Sequence, residues 1–299
     1  MIECPVCHNR RFNCESLLAN LTILSCTQCD FLVSDIKRAG PTKAEFSRIN
    51  DGAYQRSVGR LRQFQAGEIL RFVQPYGKKG GDWLDVGCSF GYLLVEAKRM
   101  GFNVFGVEPD ETAMKAARAR LGDDIVQHGT MKEESRPNHS ADIVSTLDVL
   151  EHVPADGLAD FASMIHRTLR PDGLWVIKVP STEGLYFTIA HRLVRMSRSI
   201  MSAVIKRLWQ SEYEYPHLVY FNQSTLTRFL ENRGFEPLAF EYLAEVPNST
   251  VIDRLFMDDT IPKWQAMVSV PVFYLINLIE SIRGKSDALL ALARRKSVP

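Results

Sequence analysis

The chain has 299 residues, of which 45% are apolar and 24% charged, the balance of an ordinary globular protein long enough for one large or two modest domains. A formal charge of +1 excludes a global electrostatic footprint for nucleic acid and leaves only a local basic patch as a route to it. Six cysteines in a chain this long do not make a disulfide-rich secreted scaffold, and the opening run M-I-E-C-P-V-C has neither the basic nor the apolar region of a signal peptide, so a reducing cytoplasm is the expected setting.

Cys4-x2-Cys7 and Cys26-x2-Cys29 are separated by 18 residues, a spacing suited to a four-cysteine zinc site. Each pair presents two thiolates from a knuckle, and two knuckles close a tetrahedron with no open position. Cys4, Cys7, Cys26 and Cys29 are therefore predicted to hold structural Zn2+. The competing assignments are a redox pair or space-filling cysteines; Cys14 lies outside the pairs and His8 is the substitute ligand. Leu17, Leu18, Leu21, Ile23 and Leu24, followed by Phe31–Val33, predict short β-hairpins. Residues 1–40 thus read as a zinc ribbon whose core is too small to dispense with metal. Arg10, Arg11, Lys37 and Arg38 are too scattered to favour nucleic acid.

Residues 41–80 read as a helical connector: a helical pattern over 53–73 carries Leu61, Phe64, Ile69, Leu70 and Phe72 and ends at Q-P-Y-G. It is expected to pack on the next domain, with contact of Tyr54 to a ligand as the alternative. The run W-L-D-V-G-C-S-F-G-Y-L-L, Trp83–Leu94, follows as strand, glycine turn and helix. It is neither G-x-G-x-x-G nor a phosphate-cradling P-loop, and Asp85 before the glycines suits a ligand with a cationic or hydroxyl-rich part. A second strand, Val104–Val107, ends at Glu108, about twenty residues beyond the turn, where an acid accepts two hydrogen bonds from ribose hydroxyls. Ile125-Val126 gives a third strand with the loop Gln127–Thr130, and Ala141–Leu147 a fourth, followed by D-V-L-E-H-V over 148–153. The helix Leu158–Leu169 leads through the turn L-R-P-D-G, where Gly173 is expected to relieve the φ constraint, into a fifth strand, Leu174–Val179. This alternation predicts an α/β fold, a doubly wound, mostly parallel Rossmann-like sheet over residues 81–183.

In this order the motifs resemble those of class I S-adenosylmethionine-dependent methyltransferases, whose first motif reads approximately D-x-G-x-G-x-G. Asp85, Gly87 and Gly91 match it, and Ser89 stands where the middle glycine would be. D-V-L-E-H-V and L-R-P-D-G-L-W-V-I continue the resemblance, which covers roughly Gly81–Ala244. It implies S-adenosyl-L-methionine as methyl donor, held by Asp85, Gly87, Cys88, Gly91, Glu108, Thr130 and Asp148. Thr130 occupies a position where family members often carry an acid near the adenine, so the backbone of Gly129–Met131 and the apolar Met131 side chain are alternatives there. Glu151 and His152 offer an acid/base pair beside the methionine part, against the alternative that His152 only caps or orients its loop.

Residues 184–216 are predicted as a helical lid insertion, in which Leu185–Trp209 interleaves apolar residues with Arg192, Arg195, Arg198, Lys206 and Arg207. Such a segment suits an anionic membrane, an acceptor bearing phosphate or lipid, or packing on its own domain. Residues 217–245 complete the core with a helix, Asn222–Gly234, and a sixth strand, Pro237–Ala244. H-L-V-Y-F-N resembles the segment of small-molecule methyltransferases that re-enters after a substrate-binding insertion, which makes His217 the expected general base, with Tyr213 and Tyr215 as weaker acceptor contacts. Residues 246–299 read as a C-terminal helical extension: Trp264–Ile282 is mostly apolar but interrupted by Gln265, Pro271, Asn277 and Glu280, and Ala288–Pro299 reads as a mobile basic tail.

The combined expectation is a cytoplasmic zinc-ribbon methyltransferase that methylates oxygen or carbon of a small-molecule acceptor, a sugar or a lipid-linked or nucleotide-linked glycan. Peripheral contact with the inner face of a membrane would run through 185–209 and 264–282. The alternatives are an RNA methyltransferase that holds RNA on its ribbon and a non-catalytic scaffold, which the departures at Ser89 and Thr130 would suit.

Overall fold

The computed structural model describes residues 3–18, 20–36, 52–77, 80–132, 137–196, 198–212, 215–256 and 262–297. Lys37, Arg38 and Tyr213 lie outside the described residues, as does the side chain of Tyr54. An N-terminal sheet is formed by β1 (Phe12–Leu18), β2 (Leu21–Cys26) and β3 (Leu32–Ser34), all antiparallel. After α1 (Gly52–Val73) the chain alternates: β4 (Asp82–Val86), α2 (Tyr92–Arg99), β5 (Asn103–Glu108), α3 (Glu111–Leu121), β6 (Val126–His128), β7 (Ala141–Leu147), α4 (Leu158–Thr168) and β8 (Leu169–Pro180). The lid helices α5 (Leu185–Met196) and α6 (Arg198–Leu208) lead to β9 (Val219–Tyr220), α7 (Gln223–Glu231) and β10 (Phe235–Leu243). Last come α8 (Val251–Phe256), α9 (Lys263–Arg283) and β11 (Ala288–Arg295).

The main sheet has seven strands in the order β10-β11-β8-β7-β4-β5-β6. β4 to β8 are parallel and β11 runs antiparallel to both of its neighbours, so the mostly parallel Rossmann-like sheet is present. The chain leaves β4 toward β5 and β6 and then crosses back to β7 and β8 on its other side. The crevice outside the carboxyl ends of β4 and β7 is therefore the switch point where such a sheet offers room to a ligand. β7 and β8 are covered on both faces, which is why Leu174–Val179 is buried without alternation.

Two expectations change and a third is narrowed. The C-terminal extension is not wholly helical and does not end in a mobile tail: β11 is inserted between β10 and β8, with Ala288–Ala293 fully buried. Its alternation of leucine with alanine is a weak strand signal by itself, because alanine has low β propensity; small residues fit there because helices press on both faces of a central strand. At the L-R-P-D-G turn the positive φ belongs to Asp172, at 61°, and not to Gly173. Gly173 is small because a Cβ there would meet the Arg170 carbonyl oxygen at 2.8 Å. Finally, of the alternatives for the lid, packing on the protein itself is seen for Phe187, Ala190, Val194, Ile205 and Trp209, which are buried with Leu17, Leu18, Leu21 and Ile23 of the N-terminal sheet, while Ile189 and Leu193 stay exposed.

The N-terminal sheet is not a separate appendage. β9 joins β3 as its fourth strand, and the Ser34 amide donates to the Leu218 carbonyl at 2.8 Å. Phe31 packs on Phe221 with ring centroids 4.9 Å apart, and Asn232 and Arg233 donate to the carbonyls of Val6 and Pro5. One continuous apolar core runs from Cys4, Val6 and Phe31 through Phe221 and Phe229 to Trp175 and Ile177 of the main sheet.

Candidate active site

A cavity of about 1310 Å3 lies over the carboxyl ends of β4, β5, β7 and β8, larger than the roughly 300–1,000 Å3 of a pocket for one small ligand. At one end stands the glycine turn. Gly87 and Gly91 have φ of 74° and 75°, conformations that side chains disfavour. A Cβ on Gly87 would also stand 2.7 Å from Val149 Cγ2, and one on Gly91 2.9 Å from Leu121 Cδ1. Ser89, between them, adopts φ 50° in place of the expected glycine, and its amide donates to Glu108 Oε2 at 2.7 Å. The Asp110 amide donates to Glu108 Oε1 at 2.9 Å, while the Asp110 side chain caps α3 by accepting from the Ala113 amide. Glu108 is thus spared the capping role and lines the cavity. Burial raises its carboxyl above the usual range, opposed by those two amides.

Asp85 is buried beneath the turn and accepts from Ser145 Oγ at 2.5 Å; Trp83 Nε1 donates to the same hydroxyl at 2.9 Å. Burial, opposed by the Ser145 bond and reinforced by the charge of Glu108, pushes Asp85 up to about 7. The Cys88 thiol packs into the core, where a Cβ on Gly106 would meet it at 2.7 Å. Thr130 and Met131 line the cavity on the β6 side, and the Gly129 amide donates to the Glu108 carbonyl at 3.1 Å. A glycine cradle beside a buried pair of carboxyls, one at the end of β5, fits the nucleoside and methionine parts of S-adenosylmethionine.

The middle of the cavity holds a charge cluster that the sequence does not announce. Asp148, with φ 56°, accepts from Lys178 Nζ at 2.7 Å and from the Arg62 guanidinium of α1. Lys178 is fully buried and donates a second bond to Glu245 Oε1 at 2.7 Å. Burial alone would raise Asp148, but Arg62 and Lys178 outweigh it and hold the carboxylate well below its usual range. Burial alone would likewise lower Lys178, yet Asp148 and Glu245 keep it raised and charged. A lone lysine inside the apolar run W-V-I-K-V was the available clue to Lys178; Arg62 and Glu245 carried none, since each looks like a surface charge.

At the far end, Glu151, His152 and His217 converge, with one nitrogen or carboxylate oxygen from each within 4.8 Å of the others. His152 Nδ1 lies 2.9 Å from the Pro216 carbonyl, which can only accept. Tyr220 donates its single hydroxyl proton to the Leu208 carbonyl at 2.5 Å, so it can only accept from His217 Nδ1, 3.0 Å away. The His217 proton is thereby fixed on Nδ1 and the Nε2 lone pair is left for a ligand. Burial and the neighbouring His152 lower His217 to about 3, so it is a neutral acceptor throughout the ordinary pH range. Glu151 is buried with Oε2 unpartnered among the described residues, and burial together with the charge of Asp148 raises its carboxyl far above the usual range. Tyr215 lies on the same wall, its ring centroid 6.3 Å from that of His152. The predicted catalytic and cofactor-binding residues other than Gly91 therefore line one cavity, in two groups bridged by Asp148; Gly91 lies in the turn behind it.

Away from the cavity, Cys4, Cys7, Cys26 and Cys29 place their sulfurs within 4.8 Å of one another, with Cys4 to Cys29 at 3.6 Å and Cys7 to Cys26 at 3.4 Å. A tetrahedron with Zn–S bonds of about 2.3 Å has edges of about 3.8 Å, so the donor set fits Zn2+. Burial pushes the Cys26 thiol up, but the backbone amides of Gln28 and Cys29 and the side chain of Asn9 bring it down to about 7.

The sheet with its single antiparallel strand, together with the glycine turn and the acid at the end of β5, defines the architecture of class I S-adenosylmethionine-dependent methyltransferases. Residues 57–239 match the family described as a methyltransferase domain, and the chain belongs to that family. Among its relatives are ubiquinone biosynthesis O-methyltransferases of Bradyrhizobium diazoefficiens, 32% identical over 137 residues (44% of this chain, 53% of the relative), and of Rhodopseudomonas palustris, 31% identical over 161 residues (53% and 58%). The chain spans about half the length of the curated relatives it matches. Solved structures with the same fold include a SAM-dependent methyltransferase from Archaeoglobus fulgidus, with TM-score 0.51, 20% identity, and coverage of 78% of this chain and 94% of that one. Another is the geranyl diphosphate C-methyltransferase of Streptomyces coelicolor, with TM-score 0.52, 14% identity, and coverage of 86% and 89%.

Proposed function

We propose that this chain transfers a methyl group from S-adenosylmethionine to a hydroxyl oxygen of a small-molecule acceptor, a sugar or a lipid-linked or nucleotide-linked glycan. The observation that carries the reading is the continuity of the cavity, which joins the carboxyls of Asp85 and Glu108 to the cluster of Glu151, His152 and His217. S-adenosylmethionine, when bound, supplies an electrophilic methyl carbon, so the protein has to bind, align, exclude water and receive a proton. Glu108 takes the ribose hydroxyls and the backbone at Gly87 lets the ligand approach closely. The charge cluster at Asp148 holds the middle of the cavity rigid. As the O–CH3 bond forms and the methyl–sulfonium bond breaks, the hydroxyl proton leaves along its hydrogen bond to His217 Nε2 and passes on to solvent, since burial makes the imidazole a weak base, and the raised Glu151 carboxyl donates a hydrogen bond of its own. Aromatic faces of Tyr186 and Tyr215 and the guanidinium of Arg207 line the lid side and suit a glycan that carries phosphate. In the same reading the four-cysteine cluster holds structural Zn2+ and the protein works in a reducing compartment.

The test has two arms. Calorimetry with S-adenosylmethionine should give saturable binding that Glu108→Ala weakens about tenfold or more, the loss of a charged hydrogen-bonding group; no heat of binding would overturn the cofactor assignment. Transfer of labelled methyl should then be measured against sugar nucleotides, lipid-linked glycans and RNA, with label in RNA alone overturning the acceptor class. His217→Ala should lower kcat with cofactor affinity unchanged. Because His217 titrates near 3, kcat at saturating cofactor should show no acid limb near 6.5 assignable to it. A limb near 6.5 that His217→Ala removes would contradict its neutral role.

A further inference from the structure

We propose that the outer face of α9 docks on an anionic lipid bilayer. The helix is apolar nearly all round, with mean hydropathy 1.4 over its 18-residue window, yet only 11% of that window is buried. A helix of that composition is ordinarily covered on every side. Here Ala266, Phe273, Asn277 and Glu280 face the domain: Asn277 donates to the Val246 carbonyl, and Glu280 accepts from the Leu185 amide and from Ser286 Oγ. On the opposite side Trp264, Met267, Val268, Val272, Leu275 and Leu278 recur three and four residues apart, and all are exposed, Met267 at 64% and Leu278 at 57%. Ile252 and Phe256 of α8 are exposed as well. A patch of this extent marks an interaction surface.

Charge and topology select the occupant. Lys263 opens the helix and Arg283 closes it, both exposed, and the only acid between them, Glu280, is buried on the inner side. The outer face is therefore apolar, basic at both ends and free of acid, the pattern of a helix lying in the headgroup region of an anionic membrane with a tryptophan at one end. A second copy of the chain fits less well. An antiparallel two-fold pair of α9 helices would set Lys263 against Arg283 and a parallel pair would set Lys263 against Lys263, with no acid among the described residues of the outer face of α9 to compensate. The helix does not cross the bilayer, because it connects β10 to β11, which are neighbours in one sheet, and its inner face is tied to the domain by Asn277 and Glu280. The proposal concerns this surface alone and holds whichever acceptor the cavity takes.

The experiment is co-sedimentation of the full chain with vesicles of phosphatidylcholine alone and of phosphatidylcholine with phosphatidylglycerol, with quenching of Trp264 by brominated lipid as the second readout. Trp83, Trp175 and Trp209 are buried, so the quenched signal reports α9. The expected result is binding to the anionic vesicles with quenching. Leu275→Glu or Val268→Glu should lower the partition about tenfold, as should Lys263→Glu with Arg283→Glu, each with an unchanged circular dichroism spectrum. Equal binding to neutral vesicles would overturn the anionic assignment. Absence of binding to either vesicle, or a dimer in light scattering that Leu275→Glu dissolves, would overturn the proposal.

Discussion

At the cofactor end of the cavity Asp85, Gly87, Ser89 and Gly91 come from one strand and its turn, and Glu108 from the strand beside it. In the middle and at the far end of the cavity Arg62 comes from α1, Asp148 from the end of β7, Lys178 from β8, His217 from the segment before β9 and Glu245 from beyond β10. Most of the first group is held by hydrogen bonds within one βαβ unit, with Ser145 of β7 added at Asp85, so its geometry is largely local. The second is held by ion pairs and by the N-terminal sheet, whose Ser34 Oγ donates to the His217 carbonyl at 3.0 Å. Damage to the cofactor end should therefore stay confined to ligand affinity, whereas damage to the ribbon or the charge cluster should spread through the fold.

The largest test of this contrast is metal. In the proposed reading, chelation or Cys26→Ser removes a structural Zn2+ site, of the kind that contributes folding free energy outright. The expected outcome is loss of hydrogen-exchange protection at Ser34, whose amide donates to the Leu218 carbonyl, and at Tyr220, paired with Leu32, with methyl transfer lost and S-adenosylmethionine affinity retained within a few-fold. Protection unchanged after metal removal, or no bound zinc to remove, would break the link between ribbon and site.

A smaller but still global effect is expected from Lys178→Met. It leaves Glu245 without its cation and Asp148 with Arg62 alone, and breaking a buried ion pair in this way costs about 3 kcal/mol. Denaturant unfolding would measure it; a change below about 1 kcal/mol would show that the cluster behaves like an exposed pair. The smallest effect is expected at the cofactor end. Ser89→Gly relieves an L-residue held at φ 50° while adding chain entropy to the unfolded state, so stability should change by less than about 1 kcal/mol and cofactor affinity hardly at all. A large gain in affinity would mean that Ser89 obstructs the turn.

How much of this was legible in the sequence follows the same division. The strand, turn and helix around Asp85–Gly91, the acid at Glu108 and the paired cysteines are all recognisable from spacing along the chain, because each is a short motif whose own residues lie a few positions apart or follow one another at a set distance. The helix start at Asn222 was readable for the same reason, and the structure completes it as a capping box with Thr225. β11 was missed because its leucines and alanines acquire meaning only between two strands that arrive from elsewhere in the chain. The lid illustrates the opposite case: its amphipathic pattern leaves open whether a membrane, an acceptor or the protein itself covers it, and the N-terminal sheet packs on part of it.

By itself, then, the sequence determined the mostly parallel sheet, the glycine turn with the acid at the end of β5 and the grouping of the four cysteines, each carried by a short motif. Only the tertiary structure decided that Lys178 would sit between Asp148 and Glu245, that His217 would be neutral with its lone pair on Nε2, and that the ribbon would hold the segment carrying it. Protonation state and pairing depend on burial and on neighbours from distant parts of the chain, and those exist only once the chain has folded.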